Sequence, residues 1–239
     1  MHYIDVHCHI VPGVDDGAKT LADSQRMLRI AWEEGIREII ATPHYYPGYY
    51  MTERSVSDPA FARLTEWQRE ALPEMRLYRG NEVCLGRGDV SDAIYRKTIL
   101  PMAGSNYLLV EFDVDVTLEQ MKKELYRVAN MGLWPILAHV ERYRCLYGWR
   151  MDGEVQKLAY FQVNAASLLG EHGSREKKFV KKLLKKDQIH FVATDAHSPG
   201  RRSPRLREAG LQLRETFGEE RERRLLFENP GKVIAGEKI

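Results

Sequence analysis

Cysteine is scarce in this chain. Its three residues, Cys8, Cys84 and Cys145, are scattered over 239 positions and form no CxxC pair. That excludes a disulfide framework and leaves reduced thiols as the expectation. Long apolar runs are missing too: no window approaches 18 consecutive apolar residues, so no membrane-spanning helix is expected. The first residues lack a basic segment followed by an apolar stretch, so no signal peptide is read and a cytoplasmic location is expected. Net charge is nearly absent, at +2 with 29% charged residues, so nothing global favours a nucleic-acid or membrane partner. Repeats, low-complexity tracts and Gly/Ser linkers are also lacking, and one domain over residues 1–239 is the reading.

What the chain has is alternation. Short β-branched or aliphatic runs, YIDV from Tyr3, EIIAT from Glu38, MRLYRGNEV from Met75, YLLVEF from Tyr107, WPILAH from Trp134, YFQVN from Tyr160 and IHFVAT from Ile189, are separated by helix-length stretches. The clearest helix is LADSQRMLRIAWEEG, where Leu21, Met27, Leu28 and Ala31 recur at helical spacing and Gly35 supplies a stop. TLEQMKKELYRVANMG, REKKFVKKLLKK and SPRLREAGLQLRETFG read as further helices. Seven strands without a recognisable tight hairpin favour a parallel α/β sheet closed or nearly closed into a barrel, with an open doubly wound sheet as the competing topology.

The strand ends carry ionisable chemistry. Strand one ends in His7 and His9, strand two runs into His44, strand three into Glu82, strand four into Glu111, strand five into His139, strand six into Asn164, and strand seven into Asp195 and His197. Alternation along a strand aims His7 and His9 the same way, and likewise Asp195 and His197 if the chain stays extended there. In a parallel barrel these ends surround one mouth. Imidazoles mixed with carboxylates and no thiolate suit manganese, iron or zinc in a catalytic role, and the set is large enough for two or three divalent ions. Two ions clamp the oxygens of an in-line displacement and supply a hydroxide.

Several residues have plainer readings. Asp15 in GVDDG reads as a turn former and Asp16 as the ligand. Cys8, between two ligands, faces the back of its strand as a packed residue, and His190 reads as a hydrogen-bonded core histidine. His2 and His172 look like surface residues. Arg142, Arg201 and Arg202 follow strand ends and are candidates for holding an oxyanion, with ordinary surface arginine as the alternative. Tyr45, Tyr46, Tyr49 and Tyr50 read as an aromatic lip or a loop-packing cluster. The lysines of REKKFVKKLLKK read as a solvated face.

HxH on the first strand, then TPH, GNE, VEF, AHVERY and TDAH in this order, resemble the PHP (polymerase and histidinol phosphatase) superfamily. The fuller stretches DVHCHIVPGVDDGAKT, IIATPHYYP, LAHVERY and ATDAH look like its bacterial manganese-dependent tyrosine-protein phosphatases of capsule and exopolysaccharide systems. The resemblance implies a distorted (β/α)7 TIM-like barrel with a trinuclear site. Carried over by position, His7, His9, Glu82 and Asp195 hold one ion, Glu82, Glu111 and His139 a second, and Asp16, His44 and His197 the third. It also implies that Arg142 and Arg201 grip the phosphate, and that the partner is the phosphotyrosine tail of a cytoplasmic bacterial tyrosine kinase.

Two other functions compete: a PHP phosphoesterase for a small ester such as histidinol phosphate, and a non-catalytic module braced by metals. A cysteine-dependent phosphatase is excluded by counting. It needs arginine six positions after its cysteine, where Cys8, Cys84 and Cys145 have Val14, Val90 and Met151.

Overall fold

A computed structural model describes residues 2–147 and 153–239. Its strands are β1 (Tyr3–Cys8), β2 (Ile36–Ala41), β3 (His44–Tyr45), β4 (Arg76–Arg79), β5 (Glu82–Cys84), β6 (Tyr107–Glu111), β7 (Trp134–Leu137), β8 (Tyr160–Asn164) and β9 (Phe191–Ala193). Every ladder between them is parallel. The ladders run β1-β2-β4 and β3-β5-β6-β7-β8-β9. Hydrogen bonds from Gly80 N to Ala41 O (2.9 Å) and from Glu82 N to Pro43 O (3.1 Å) carry the pairing of β2 with β4 across to that of β3 with β5. β3 therefore continues β2, and β5 continues β4, past a short break, giving the seven staves expected of a TIM-like arrangement.

The stretch MRLYRGNEV, expected as one strand, is broken at Gly80-Asn81. A Cβ on Gly80 would lie 3.2 Å from the Met102 backbone, so only glycine passes there comfortably.

β1 and β9 share no ladder. A parallel bridge between Cys8 and Ala196 joins their neighbourhoods, with His9 N donating to Ala196 O (2.8 Å) and Asp195 N to His7 O (2.9 Å). Lower on this seam the fully buried Asp5 substitutes for backbone pairing. Its Oδ1 accepts from Thr194 N (3.0 Å) and its Oδ2 from Thr194 Oγ1 (2.5 Å). Burial raises the Asp5 carboxyl to about 6 despite these donors.

The helices are α1 (Leu21–Glu33), α2 (Arg54–Ala71), α3 (Ser91–Tyr95), α4 (Leu118–Asn130), α5 (Gly153–Leu158), α6 (Ala165–Leu169), α7 (Ser174–Lys185), α8 (Arg207–Phe217), α9 (Glu219–Arg223) and α10 (Asn229–Ala235). α1 begins where Thr20 and Asp23 cap each other reciprocally, buries Met27, Leu28 and Ala31, and stops before Gly35 at φ +87°. α7 buries Phe179, Val180, Leu183 and Leu184 and leaves most of its lysines in solvent, as its pattern requires. Among the described residues no helix is long and apolar enough to cross a membrane.

The main core lies between staves and helices, and a second cluster forms around Val6, Ile40, Tyr107, Leu109, Ile136 and Phe191 with Met102 and Val233. Tyr107, Leu109 and Glu111 share one face of β6 by alternation, so this apolar layer gives way to carboxylate at the strand end.

His190, just before β9, is the core histidine expected. Its Nδ1 accepts from Phe161 N (2.9 Å), and burial, aided by Arg224, lowers its pKa from 6.5 to about 4. The neutral ring is the folded form, so its contribution is complete above pH 6.5 and lost as pH falls from 6.5 towards 4. The shift caps that loss at about 3 kcal/mol. Urea unfolding of wild type and His190→Asn at pH 7.5 and 4.5 should show the variant losing about 2 kcal/mol less on acidification.

Candidate metal centre

The ligand candidates come together at the strand ends, nearly all buried. His7 Nε2 and His9 Nε2 are 3.1 Å apart and lie 3.1 and 3.2 Å from Glu82 Oε2, with Asp195 Oδ1 at 3.4 and 3.7 Å. Glu82 Oε1 faces His139 Nε2 at 2.9 Å, and Glu111 Oε2 lies 3.6 Å from the same nitrogen. Asp16 Oδ1 sits 3.4 Å from both His44 Nε2 and His197 Nε2. His44 faces two ways, because its Nδ1 lies 3.2 Å from Glu82 Oε2 and 3.1 Å from Glu111 Oε1. Three sets have potential ligating atoms all within 4.8 Å of one another: His9, Asp16, His44 and His197; His7, His9 and Asp195; and His44, Glu82 and Glu111.

The local backbone is strained to achieve this. His139 and Asp195 sit at φ +34° and +52°, in a region that non-glycine residues rarely occupy. The extended continuation expected through Asp195 and His197 is thus not adopted. The left-handed Asp195 turns its carboxylate towards His7 and His9, and its Oδ1 is 3.5 Å from His197 Nδ1.

The imidazoles are oriented from behind. His7 Nδ1 donates to Gln162 Oε1 (3.1 Å), His9 Nδ1 to Asp15 Oδ2 (2.7 Å) and His197 Nδ1 to the Asp195 carbonyl (3.0 Å). A donating Nδ1 leaves the Nε2 lone pair free to bind a cation. Tyr143 Oη, 3.4 Å from His139 Nδ1, occupies the equivalent place behind His139.

Asp15 is therefore more than a turn former. It is buried, holds His9, and accepts from Gly17 N (2.9 Å) and His44 N (3.0 Å). A Cβ on Gly17 would fall 2.2 Å from His9 O, so DDG needs glycine for the turn to pack on His9. Gln162 has the same orienting role, also accepting from His139 N (3.0 Å) and donating to Asn164 (2.8 Å). Alternation from Asn164 would have found Gln162; nothing in the local pattern distinguished the two roles of Asp15 and Asp16. Asp15→Asn should cost 10–100-fold in metal affinity or activity, read by metal titration and initial rates.

The electrostatics describe a site built for cations. Burial lowers the imidazolium pKa of His9 and His44, yet the surrounding carboxylates, Asp15 at His9 and Glu111 with Glu82 at His44, outweigh it and lift both to about 9. His197 goes the other way, to about 4, through burial and repulsion from His9. Burial opposes ionisation of Glu82 and Asp195, but His7 and its neighbours hold both well below the usual carboxylate range. Three atoms at the centre, His44 Nδ1, Glu82 Oε2 and Glu111 Oε1, are buried with the imidazole nitrogen 3.1–3.2 Å from the two oxygens, yet none makes a well-directed hydrogen bond. Such orphans are costly unless a cation satisfies them, so the residues fit divalent metal ions.

Arg142 Nη2 donates to Asp195 Oδ2 (2.7 Å), and Asn164 Nδ2 reaches the same oxygen (2.8 Å). It is Arg202, not its neighbour Arg201, that lies on Asp195, with Nη2 2.9 Å from Oδ1 and 3.2 Å from the carbonyl. Arg201 is exposed on the wall of an adjoining cavity. Of the tyrosines, Tyr50 stacks on His44 (centroids 5.6 Å, 13°), Tyr46 donates to Asp113 and Tyr49 is 71% exposed, whereas Tyr45 belongs to the core. Burial keeps the Cys8 thiol protonated and pushes Cys84 up to about 12. Cys8→Ala should stay within about threefold of wild-type activity, since Cys8 packs away from the ligands as a small hydrophobe.

The chain is 36% identical over 228 residues to the tyrosine-protein phosphatase YwqE of Bacillus subtilis, covering 91% of this chain and 86% of that one. It superposes with a TM-score of 0.88, at 33% identity and covering 99% of this chain and 96% of the other, on a structure from the work describing YwqE of Bacillus subtilis and CpsB of Streptococcus pneumoniae as unique metal-dependent tyrosine phosphatases. A histidinol phosphate phosphatase of Lactococcus lactis shares the fold alone, with a TM-score of 0.54 at 18% identity over 83% of this chain and 88% of that one. The family model for capsular polysaccharide synthesis, CpsB/CapC, matches residues 3–235, and the chain belongs to that family.

Proposed function

We propose that this protein is a metal-dependent tyrosine-protein phosphatase acting on the phosphotyrosine tail of a cytoplasmic bacterial tyrosine kinase that controls capsule or exopolysaccharide synthesis. The observation that carries the reading is the group of orphaned buried ligand atoms, His44 Nδ1, Glu82 Oε2 and Glu111 Oε1, beside two arginines. His7, His9, Glu82 and Asp195, then Glu82, Glu111 and His139, then Asp16, His44 and His197 would hold three divalent ions, with manganese favoured by hard carboxylates mixed with imidazoles. Bound there, such ions polarise phosphoryl oxygens and lower the pKa of water.

The chain's own residues do the rest. Arg142 and Arg202 present guanidinium N–H donors over Asp195, where three equatorial phosphoryl oxygens gather charge in the transition state. Asp195, itself held by Asn164, fixes the direction of Arg142, while Asp15 and Gln162 keep the imidazoles of His9 and His7 in one tautomer. Tyrosine leaves as a phenol of pKa about 10, easier to expel than an alkoxide, so strong acid assistance is not required. Tyr50, stacked on His44, presents an aromatic ring at the border of the site.

Initial rates on a phosphotyrosine peptide, histidinol phosphate and a single-stranded oligonucleotide test the reading. The peptide should win by orders of magnitude. Preference for histidinol phosphate would move the substrate to small esters, and no hydrolysis by metal-loaded protein would leave only a binding role.

A further inference from the structure

A cavity of about 210 Å³ opens beside the metal centre, with Asn164, Thr194 and Asp195 in its lining and Arg201, Arg205 and His172 among its walls. Two of its three arginines, Arg201 and Arg205, differ from many others in the protein. Arg142 and Arg202 are committed to Asp195, and Arg54, Arg87, Arg96, Arg127, Arg214, Arg221, Arg223 and Arg224 each hold a carboxylate. Among the described residues Arg201 and Arg205 make no ion pair, although both are exposed and line the cavity. The acids there are Glu171 at the surface and Asp195, whose charge is already met by Arg142 and Arg202. His172 adds no charge to this wall: partial burial, chiefly, and then the Arg142 guanidinium hold its ring below its ordinary pKa, so at neutral pH it stays uncharged beside Arg201 and Arg205.

We propose that this cavity binds a second anionic side chain of the substrate, lying within two residues of the phosphotyrosine. The inference rests on the phosphatase reading above and names its preferred substrates: phosphotyrosine segments flanked by acid. The cavity shares Asp195 and Arg202 with the proposed phosphate grip, so a chain whose phosphate lies over Asp195 brings its neighbouring residues to Arg201 and Arg205. Planar guanidinium forks recognise carboxylate and phosphate alike through paired N–H donors. The ligand is therefore glutamate, aspartate or a further phosphorylated residue.

The test uses full-length, manganese-loaded protein, free phosphotyrosine, and series of phosphotyrosine peptides carrying glutamate, phosphoserine, glutamine or lysine at position −2, −1, +1 or +2. Wild type should show a KM about tenfold lower for the best glutamate or phosphoserine peptide than for its glutamine counterpart, with kcat nearly unchanged. The better of those two identifies the source of the anion. Arg205→Gln should erase the preference without altering turnover of free phosphotyrosine, and Arg205→Glu should invert it towards a lysine-flanked peptide. Equal KM values for glutamate and glutamine peptides at all positions, with free phosphotyrosine turned over, would overturn the subsite and leave the phosphatase reading intact. Failure to hydrolyse free phosphotyrosine and every peptide would overturn both.

Discussion

Glu82→Gln should lower kcat/KM on phosphotyrosine by about three orders of magnitude while leaving the fold in place. Glu82 is the carboxylate that the candidate site is arranged around. Its Oε2 meets His7, His9 and His44 at 3.1–3.2 Å and its Oε1 meets His139 at 2.9 Å. Glutamine has the same shape but replaces one anionic oxygen with an N–H₂ that repels a cation and can only donate. Losing a Lewis-acidic clamp worth several kcal/mol, at 1.36 kcal/mol for each factor of ten, gives the expected fall. The cost should appear mainly in kcat, with metal content per chain reduced in elemental analysis. Activity within tenfold of wild type at full metal content would remove Glu82 from the proposed role.

The strand ends made this residue legible before any coordinates. Side chains alternate along a strand and parallel strands share one direction, so a polar residue at the end of each apolar run marks a common mouth. His7, His9, Glu82, Glu111, His139 and Asp195 all followed from that rule, and the structure brings them together. His44 and His197 followed from the same rule, whereas Asp16 lies in the turn beyond β1, where strand alternation does not reach.

Other features depended on tertiary contacts that no local pattern encodes. The break at Gly80-Asn81 reflects the approach of Met102, more than twenty positions away in sequence. α2 escaped a firm expectation because Pro59 lies inside it and its apolar stripe is thin. The left-handed turns at His139 and Asp195 run against the intrinsic preferences of both residues and persist because the surrounding hydrogen bonds over-determine them. Adjacent residues of one type proved hardest. Asp15 and Asp16 differ in role only because Gly17 folds the turn back onto His9, and Arg201 and Arg202 only because one of them reaches Asp195.

Chelation should abolish activity and lower Tm by about 10 °C. The cation-free centre gathers Glu82, Glu111, Asp16 and Asp195 with five imidazoles, largely removed from solvent, and leaves three polar atoms unmatched. A ligand that binds only the folded chain at 1,000 times its Kd adds about 4 kcal/mol, and a domain of this size gains about 2–4 °C per kcal/mol. One tightly held ion thus accounts for about 8–16 °C, and further ions add to it. Wild type treated with chelator and passed through a desalting column should lose more than about 99% of its turnover, the loss expected when several kcal/mol of transition-state stabilisation go. Adding back manganese, iron or zinc separately should restore Tm with each ion that fits, and comparison of the restored rates identifies the ion that supports chemistry. The control is Asp195→Ala, which removes a carboxylate shared by the proposed ion site and both arginines: its Tm should respond less to chelator than that of wild type. If wild-type Tm and activity both survive complete removal of metal, the buried carboxylates and imidazoles must satisfy one another, and the centre would be a structural ionic network instead.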